Sequence, residues 1–237
     1  MPVPQSESVV LKRAAAAKAL ELLTDGMKLG LGTGSTAEAF FELLSPRVRG
    51  GFKVIGVPTS ERTAQKARAL GIPLAGLDEL GPLDLTVDGA DEADRNLDLI
   101  KGGGGALLKE KIVAASSKRV VIIADESKLV ARLGNFALPV EVIEFGHATT
   151  ATRLGKAFAA AGYSKAVPAL RRAGDAPFRT DSGHLIYDCM VGPITNAAKL
   201  AQAISSIPGV VEHGLFIGIA TTLVIAHPGE VELIDRN

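Results

Sequence analysis

Three segments carry the side chains of this sequence that could do chemistry. They read GLGTGSTA at residues 30–37, VDGADE at residues 87–92 and IKGGGGALLKEK at residues 100–111. Glycines in the first segment let the backbone turn tightly and approach an anion closely. Free N–H groups at the start of a following helix bind phosphate, and the hydroxyl groups of Thr33, Ser35 and Thr36 add donors beside Gly34. This segment predicts a phosphate site.

The same loop also fits a dinucleotide-binding fingerprint, with Gly32, Gly34 and Ala37 in its key places. A nicotinamide site calls for an acidic residue at the end of the second strand, where it would hold the ribose hydroxyls. That strand ends here in VPTS at residues 57–60, which contains no carboxylate. The loop therefore favours a monophosphate over a dinucleotide.

The second segment delivers two carboxylates, Asp88 and Asp91, from the end of an apolar strand. Gly89 and Ala90 between them are small, so a ligand can approach closely. Carboxylates in this position can orient hydroxyl groups and move protons. They are also suitable ligands for Mg²⁺, and an Asp-rich turn with a helix cap is a third interpretation.

The third segment contains four consecutive glycines at residues 102–105, directly after Lys101. Such a run is costly in conformational entropy, which indicates a backbone that a ligand approaches. Glu110 lies in the predicted helix that follows and shares a stripe with Ala106 and Val113. A carboxylate on a largely apolar stripe is desolvated, and this raises its pKa toward that of a useful base. The alternative is a surface glutamate without a role.

Short apolar strands that alternate with amphipathic helices must position these segments. Strands are predicted at residues 27–32, 53–57, 83–87 and 119–124, and helices at residues 8–23, 35–44, 61–70 and 105–116. This alternation predicts a parallel sheet with helices on both faces. In such sheets the ligand site lies outside the carboxyl ends of the strands, which is where the phosphate loop and Asp88 would meet.

The pattern changes near residues 133–139, and the following stretch is typical of a small α+β insert. Strands are predicted at residues 139–143, 169–172 and 185–190, and helices at residues 149–161 and 195–205. The tail, residues 210–234, returns to short strands. We expect these strands to rejoin the first sheet.

Composition narrows the class of protein. Lys plus Arg equals Asp plus Glu at 26 each, and aromatic residues make up 4%, which argues against binding to nucleic acid or to an anionic membrane. With Cys189 as the one cysteine, an intramolecular disulfide is impossible, and the four histidines lack metal-ligand spacing. The longest apolar stretch, residues 215–226, is shorter than the ~20 residues that span a bilayer. No signal-peptide pattern precedes the first helix, so we expect a soluble, cytoplasmic protein.

Together the three segments resemble the A-type ribose-5-phosphate isomerase family in type, order and separation. Further matches are ADESK at residues 124–128, LPVEV at residues 138–142 and IPGVV at residues 207–211, so the resemblance covers nearly the whole chain. It implies an α/β fold in which a Rossmann-like parallel sheet domain carries an inserted, smaller α+β domain. The expected division is residues 1–131 with 207–237 for the catalytic domain and residues 132–206 for the insert. The resemblance also implies a homodimer or a homotetramer.

The resemblance implies a role for each matching residue. The general base falls on Glu110, while Lys101 would stabilise negative charge and Asp88 and Asp91 would handle hydroxyl groups. The contacts to phosphate and sugar fall on Thr33, Gly34, Ser35, Thr36, Gly89, Ala90, Gly102, Gly103, Gly104 and Lys128. The expected reaction interconverts ribose 5-phosphate and ribulose 5-phosphate through an enediolate, in the non-oxidative pentose phosphate pathway. It needs a sugar phosphate as its partner but no cofactor and no metal.

Two other classes of protein stay open at this point. One is a sugar-phosphate deaminase or a CoA-transferase on a similar fold, against which the GGGGALLKEK segment argues. The other is a sugar-phosphate sensor, which should carry a helix-turn-helix region and a basic surface. The formal net charge of zero and the early start of the first strand disfavour a sensor. Turnover of the sugar phosphate separates an enzyme from a sensor.

Overall fold

The computed structural model describes residues 5–236 of the chain, so residues 1–4 and 237 of the expected catalytic domain lie outside the description. The helices are α1 (Gln5–Leu20), α2 (Ser35–Arg49), α3 (Glu61–Ala69), α4 (Leu77–Leu80), α5 (Leu107–Ala115), α6 (His147–Ala160) and α7 (Ala197–Ser205). The strands are β1 (Met27–Leu31), β2 (Val54–Pro58), β3 (Leu85–Asp88), β4 (Glu92–Ala93), β5 (Leu99–Ile100), β6 (Val120–Asp125), β7 (Leu138–Val142), β8 (Pro168–Leu170), β9 (Arg172–Ala173), β10 (Ala176–Pro177), β11 (Leu185–Cys189), β12 (Val210–His213), β13 (Leu215–Phe216), β14 (Thr222–His227) and β15 (Glu230–Asp235).

A six-stranded sheet forms the centre of the catalytic part, in the order β15-β14-β6-β3-β1-β2. The strands from β14 to β2 pair in parallel, and β15 adds an antiparallel edge. Strand β6 is apolar along most of its length because it is buried on both faces. Val121 and Ile123 face one core, whereas Val120, Ile122 and Ala124 face the other. The predicted parallel sheet is therefore confirmed.

Helices cover both faces of this sheet, as predicted. On one face, α1 contributes the small residues Ala15 and Ala19, and α2 contributes Phe40, Phe41 and Leu44. On the other face lie α5 and a three-stranded sheet in the order β13-β5-β4. The sequence pattern did not predict this second sheet, since strands of two residues are too short to show a period.

The insert is an antiparallel four-stranded sheet in the order β12-β7-β11-β8, with α6 and α7 packed on one face. Leu154 and Phe158 of α6 meet Leu200 and Ile204 of α7 in its core. The α+β character predicted for this lobe is confirmed. Cys189 is a buried residue of β11.

The expectation for the tail is correct for two of its strands and wrong for the others. Strands β14 and β15 join the parallel sheet, but β12 pairs with β7 of the lobe and β13 pairs with β5. A strand inside a parallel sheet needs a nearly continuous apolar run, which TLVIAH of β14 supplies and VVEH of β12 does not. Strand β12 lies beyond residue 206, so the lobe sheet draws on both sides of the expected division, which itself stays a prediction.

Between residues 5 and 236, none of the helices combines the length and the hydrophobicity that crossing a bilayer requires.

Gly30 of β1 determines how closely α5 packs on the sheet. A Cβ atom at Gly30 would overlap the hydroxyl of Thr86 and lie 2.6 Å from Val113 Cγ1. We expect Gly30→Ala to lower the free energy of unfolding by ~1–3 kcal/mol, because the crowded atoms must shift. Urea denaturation measures this change.

Gly155 in α6 is the matched control, since an added Cβ would have its nearest neighbour at 4.0 Å. Gly155→Ala should raise the free energy of unfolding by ~0.5–1 kcal/mol, because alanine loses less backbone entropy in a helix. A Gly30→Ala protein as stable as Gly155→Ala would show that α5 does not press on Gly30.

Candidate active site

The phosphate loop connects β1 to α2 and is tied to the end of β3 by one carboxylate. The backbone N–H of Thr33 donates to Asp88 Oδ1 over 3.1 Å, and that of Gly89 donates to the same oxygen over 2.8 Å. A Cβ atom at Gly32 would overlap the Asp88 side chain. Gly34 has a φ of +121°, which favours glycine. The loop and Asp88 therefore form one structural unit at the carboxyl edge of the sheet.

The hydroxyl group of Thr33 lies in a cluster of hydroxyl groups that no motif in the sequence predicts. Thr33 Oγ1 is 2.8 Å from Thr59 Oγ1, 2.8 Å from Ser60 Oγ and 3.0 Å from Thr63 Oγ1. Thr63 also donates to the carbonyl of Gly32 over 2.9 Å. The uncharged residues after β2 thus hold the phosphate loop in place. A direct contact between the Thr33 hydroxyl and phosphate stays a prediction.

Three charged side chains meet below this loop. Lys101 Nζ lies 2.9 Å from Asp88 Oδ2 and 3.4 Å from Glu110 Oε1, and it donates to the carbonyl of Gly89 over 2.7 Å. The three side chains are 3–5% exposed. Three elements deliver them: β3 ends at Asp88, α5 contains Glu110, and Lys101 follows β5. The burial expected for Glu110 from its helical stripe is observed.

Burial and charge set the protonation of this cluster. Burial raises the pKa of Glu110 to about 8, with Asp88 adding to the rise and Lys101 opposing it. Burial also raises the pKa of Asp88 against the effect of Lys101. For Lys101, burial lowers the pKa, but the facing carboxylates outweigh it and leave the pKa raised. The ammonium therefore stays charged while Glu110 exchanges a proton near neutral pH.

The two oxygens of the Glu110 carboxyl group have different surroundings. Its Oε1 faces Lys101, whereas its Oε2 is buried and has no hydrogen-bond partner among the residues that the structure describes. A buried acceptor without a donor is unusual in a folded protein. It is the group in this cluster that a bound substrate could satisfy.

The glycine run closes the site on the side of the lobe. A Cβ atom at Gly103 would lie 2.6 Å from Asp91 Oδ1, and one at Gly105 would lie 2.5 Å from the ring of Phe178. Gly102 has a φ of +103°. The N–H of Gly103 donates to Asp91 Oδ2 over 2.7 Å. Space, as well as backbone conformation, therefore requires glycine in this loop.

These elements surround a pocket of about 170 Å³. Thirteen of the fourteen predicted site residues line it, and Asp88 lies behind them against Lys101. The lining residues are Lys12, Thr33, Gly34, Ser35, Thr36, Gly89, Ala90, Asp91, Lys101, Gly102, Gly103, Gly104, Glu110 and Lys128. Lys12 of α1 was missed, since a lone lysine on a helix gives no signal in the sequence. Lys12 and Lys128 add two ammonium groups to that of Lys101 in a pocket that also contains the phosphate loop.

Both aspartates at the site have partners within the protein. Asp88 contacts Lys101, and Asp91 accepts from the N–H of Gly103. Over residues 5–236, no group of three or more His, Cys, Asp and Glu side chains has an arrangement that could hold a metal ion.

Comparison with known proteins gives the family. Residues 55–230 match the family model of ribose 5-phosphate isomerase A (phosphoriboisomerase A). The chain belongs to this family. It is 56% identical over 226 residues to a ribose-5-phosphate isomerase A of Nitrobacter hamburgensis. The matched region covers 95% of this chain and 97% of that protein. The resemblance carried by the three glycine- and acid-rich segments is thereby confirmed.

Solved structures of ribose 5-phosphate isomerases share the whole fold. One from Plasmodium falciparum matches with a TM-score of 0.91 and 37% identity, over 96% of this chain and 98% of that one. A D-ribose-5-phosphate isomerase in complex with phospho-erythronic acid matches with a TM-score of 0.90 and 35% identity, again over 96% of this chain and 98% of that one. The α/β fold class expected from the family is confirmed.

The hydroxyl cluster gives a test of the phosphate loop. Thr33→Val keeps the shape of the side chain but leaves three neighbouring hydroxyl groups short of a partner. We expect the free energy of unfolding to fall by ~1–2 kcal/mol and the affinity for inorganic phosphate to fall with it. Denaturation and isothermal titration calorimetry measure the two effects.

Thr152→Val is the control for this substitution, because its exposed hydroxyl donates to Ala148 O in α6, away from the pocket. It should bind phosphate like the unmodified protein. Unchanged phosphate affinity in Thr33→Val would mean that the hydroxyl cluster does not support the phosphate loop.

Proposed function

We propose that this chain interconverts ribose 5-phosphate and ribulose 5-phosphate, with Glu110 carrying a proton between C2 and C1 of the open-chain sugar. The observation that carries this proposal is the buried pair of Glu110 and Lys101 in a pocket that also contains a phosphate loop. A base with a pKa near the working pH and a fixed positive charge are the two groups that an aldose–ketose isomerisation needs. The names of the relatives support the same substrate.

The phosphate group of the substrate is the handle in this proposal. It would bind at the N-terminus of α2, where residues 33–36 offer backbone N–H groups and hydroxyl groups, with Lys12 and Lys128 nearby. Its binding energy would hold C1 and C2 beside Glu110 without contributing to the chemistry itself. Phospho-erythronic acid, present in one related structure, combines a phosphate with a planar carboxylate, as an enediolate intermediate combines a phosphate with two planar oxygens.

The proton transfer would run in two steps on one face of the sugar. After ring opening, Glu110 Oε2 removes the proton from C2, the C–H electrons form a C1=C2 double bond, and the carbonyl electrons move to O1. The resulting enediolate is planar, so the same carboxyl group can return the proton to C1. Meanwhile the hydroxyl proton moves from O2 to O1, which leaves a ketone at C2.

Lys101 would stabilise the negative charge that appears on O1 and O2. Its ammonium is fixed by Asp88 and the carbonyl of Gly89, so it need not reorganise during the reaction. Asp88 and Asp91 would orient the hydroxyl groups, move the proton between the two oxygens and assist ring opening. All these steps transfer protons, and none transfers a hydride.

The wider setting of the reaction is also a proposal. We place it in the non-oxidative pentose phosphate pathway, in the cytoplasm, and in a homodimer or homotetramer. The family membership supports the pathway, and a sedimentation measurement would give the oligomeric state.

Glu110→Gln tests the base directly. The amide keeps the shape of the side chain but does not accept the C2 proton, and both proton transfers depend on this residue. We expect turnover of ribose 5-phosphate to fall by at least ~10²–10⁴-fold. Binding of inorganic phosphate should stay close to that of the unmodified protein, and the thermal unfolding midpoint should not fall, since the amide avoids the cost of ionising a buried carboxyl group.

Glu42→Gln, an exposed glutamate that pairs with Lys66 on α3, is the matched control and should turn over normally. The unmodified enzyme in D₂O should also introduce deuterium at C1 of the ketose. Near-normal turnover by Glu110→Gln would move the base elsewhere, with Asp88 the next candidate.

The pKa of about 8 for Glu110 predicts a pH profile. A base must be ionised to accept a proton, so kcat/KM should rise with pH through neutrality and level off above about 8. The phosphate group of the substrate has a second pKa of ~6. Its ionisation therefore does not account for a rise in kcat/KM that is centred near pH 8. Initial rates measured across the neutral and alkaline range give the profile.

Asp88→Asn gives the matched comparison, because the Asp88 charge contributes to the raised pKa of Glu110. The rising limb should move to lower pH in this variant, whatever its absolute rate. A limb that stays in place, or a profile that is flat through neutrality in the unmodified enzyme, would contradict the assignment of this limb to Glu110.

A further inference from the structure

Arg171 is a lobe residue that reaches across to the glycine loop of the catalytic part. It lies between β8 and β9, and its Nη1 donates to the carbonyl of Gly102 over 2.9 Å and to that of Gly103 over 3.2 Å. Its guanidinium group also packs 5.7 Å from the centre of the Phe178 ring. One side chain therefore holds two successive carbonyl groups of the loop.

The Arg171 side chain is itself fixed from behind. Its Nε donates to Asp188 Oδ2 over 2.9 Å, and its Nη2 contacts Asp188 Oδ1, which makes a two-pronged ion pair with β11. Its backbone N–H donates to the carbonyl of Ile186 over 2.8 Å. The side chain is 12% exposed. A planar guanidinium held by both oxygens of a carboxylate has little freedom, so it presents its remaining N–H groups in a defined direction.

Both polar groups of the peptide between Gly102 and Gly103, its carbonyl and its N–H, are hydrogen-bonded to side chains. Arg171 binds its carbonyl, and Asp91, a residue of the pocket, accepts from its N–H over 2.7 Å. In the next peptide, Arg171 binds the carbonyl of Gly103. A trans peptide places its N–H opposite its carbonyl, so the N–H of Gly104 points away from Arg171. Gly104 lines the pocket.

We infer that Arg171 is a positioning residue for the isomerisation: it fixes the glycine loop so that Asp91 and the N–H of Gly104 are aligned on the bound sugar. This inference rests on the proposed function and deepens it. Hydrogen bonds from a cation to the carbonyl groups also polarise these peptides, which makes their N–H groups better donors. The lobe thereby takes part in the reaction without contributing a group that touches the reacting carbons.

Arg171→Met tests the role in turnover. Methionine fills much of the same space against Phe178 but donates no hydrogen bonds. We expect kcat for ribose 5-phosphate to fall by up to ~10²-fold, because the aligned groups shift. KM and the affinity for inorganic phosphate should stay near those of the unmodified enzyme, since the phosphate loop is untouched.

Two variants accompany this measurement. Arg172→Met removes the next arginine, which is exposed and donates to the carbonyl of Asp175, and it should behave like the unmodified enzyme. Arg171→Lys should be intermediate, because one ammonium does not reproduce a fork that binds two carbonyl groups and a carboxylate. Equal kcat in Arg171→Met and Arg172→Met would overturn the inference. A lower kcat/KM in Arg171→Met that comes only from a higher KM would overturn it as well.

Hydrogen exchange supplies a measurement that does not depend on activity. In Arg171→Met, the peptide covering residues 100–107 should exchange faster than in the unmodified protein, while Arg172→Met leaves it unchanged. If the unmodified protein does not turn over ribose 5-phosphate, the proposed function fails, but loop exchange still decides whether Arg171 holds the loop. Unchanged exchange in Arg171→Met would overturn the inference in either case.

Chemical rescue separates positioning from general loss of structure. Arg171→Ala leaves space beside Asp188, which guanidinium ions can enter at non-denaturing concentrations. Guanidinium chloride should restore part of the lost kcat, whereas the same concentration of sodium chloride should not. Failure of guanidinium to restore any activity, together with faster exchange throughout the lobe, would mean that Arg171 serves only the stability of the lobe.

Discussion

The ammonium of Lys101 lies 2.9 Å from Asp88 and 3.4 Å from Glu110, in a place from which solvent is nearly excluded. Removing an ion from water costs several kcal/mol even after relaxation, so each buried charge needs an opposite charge close by. One ammonium between two carboxylates satisfies this condition for only one of them. The second carboxylate, Glu110, therefore retains its proton up to about pH 8. Burial raises the pKa of Glu110 into this range, the neighbouring Asp88 adds to the rise, and the single ammonium offsets only part of it.

Contacts elsewhere in the fold hold the three side chains of this cluster together and keep them buried. Gly30 lets α5 approach the sheet, which brings Glu110 over Asp88 and Lys101. The backbone N–H of Lys101 donates to the carbonyl of Gly214, which lies next to the lobe strand β12. Buried Glu92 accepts from the N–H groups of Gly134 and Phe136, over 2.7 and 2.6 Å, and so ties the entry of the lobe to the catalytic part. Sheet, helix and lobe thus converge on a site that none of them could form alone.

How much of this could be read from the sequence depends on how local each feature is. The phosphate loop, the VDGADE turn and the glycine run are local patterns with a local physical cause, and the stripe on α5 correctly predicted that Glu110 is buried. The hydroxyl cluster joins Thr33 to Thr63, 30 residues away, and Arg171 reaches Gly102 across 69 residues. No period within one element encodes such contacts. The prediction that β12 joins the parallel sheet is wrong for a related reason. Tertiary packing, rather than the strand's own pattern, determines that β12 pairs with β7.

Stability and the proposed catalytic role make opposite demands on Glu110. Its pKa in the folded protein, about 8, lies above the ordinary value of 4.5 that an unfolded chain would have. Between these values the folded state binds more protons than the unfolded state, so this residue makes the fold less stable as the pH rises through that window. A neutral side chain of the same shape would avoid the penalty, but it would accept no proton from C2. Lys101 offsets part of the cost, and in the proposed reaction it would also supply the positive charge that an enediolate needs. One ion pair therefore limits how unstable the ionised site becomes, and in the proposed reaction the same geometry would stabilise the charge that the reaction creates.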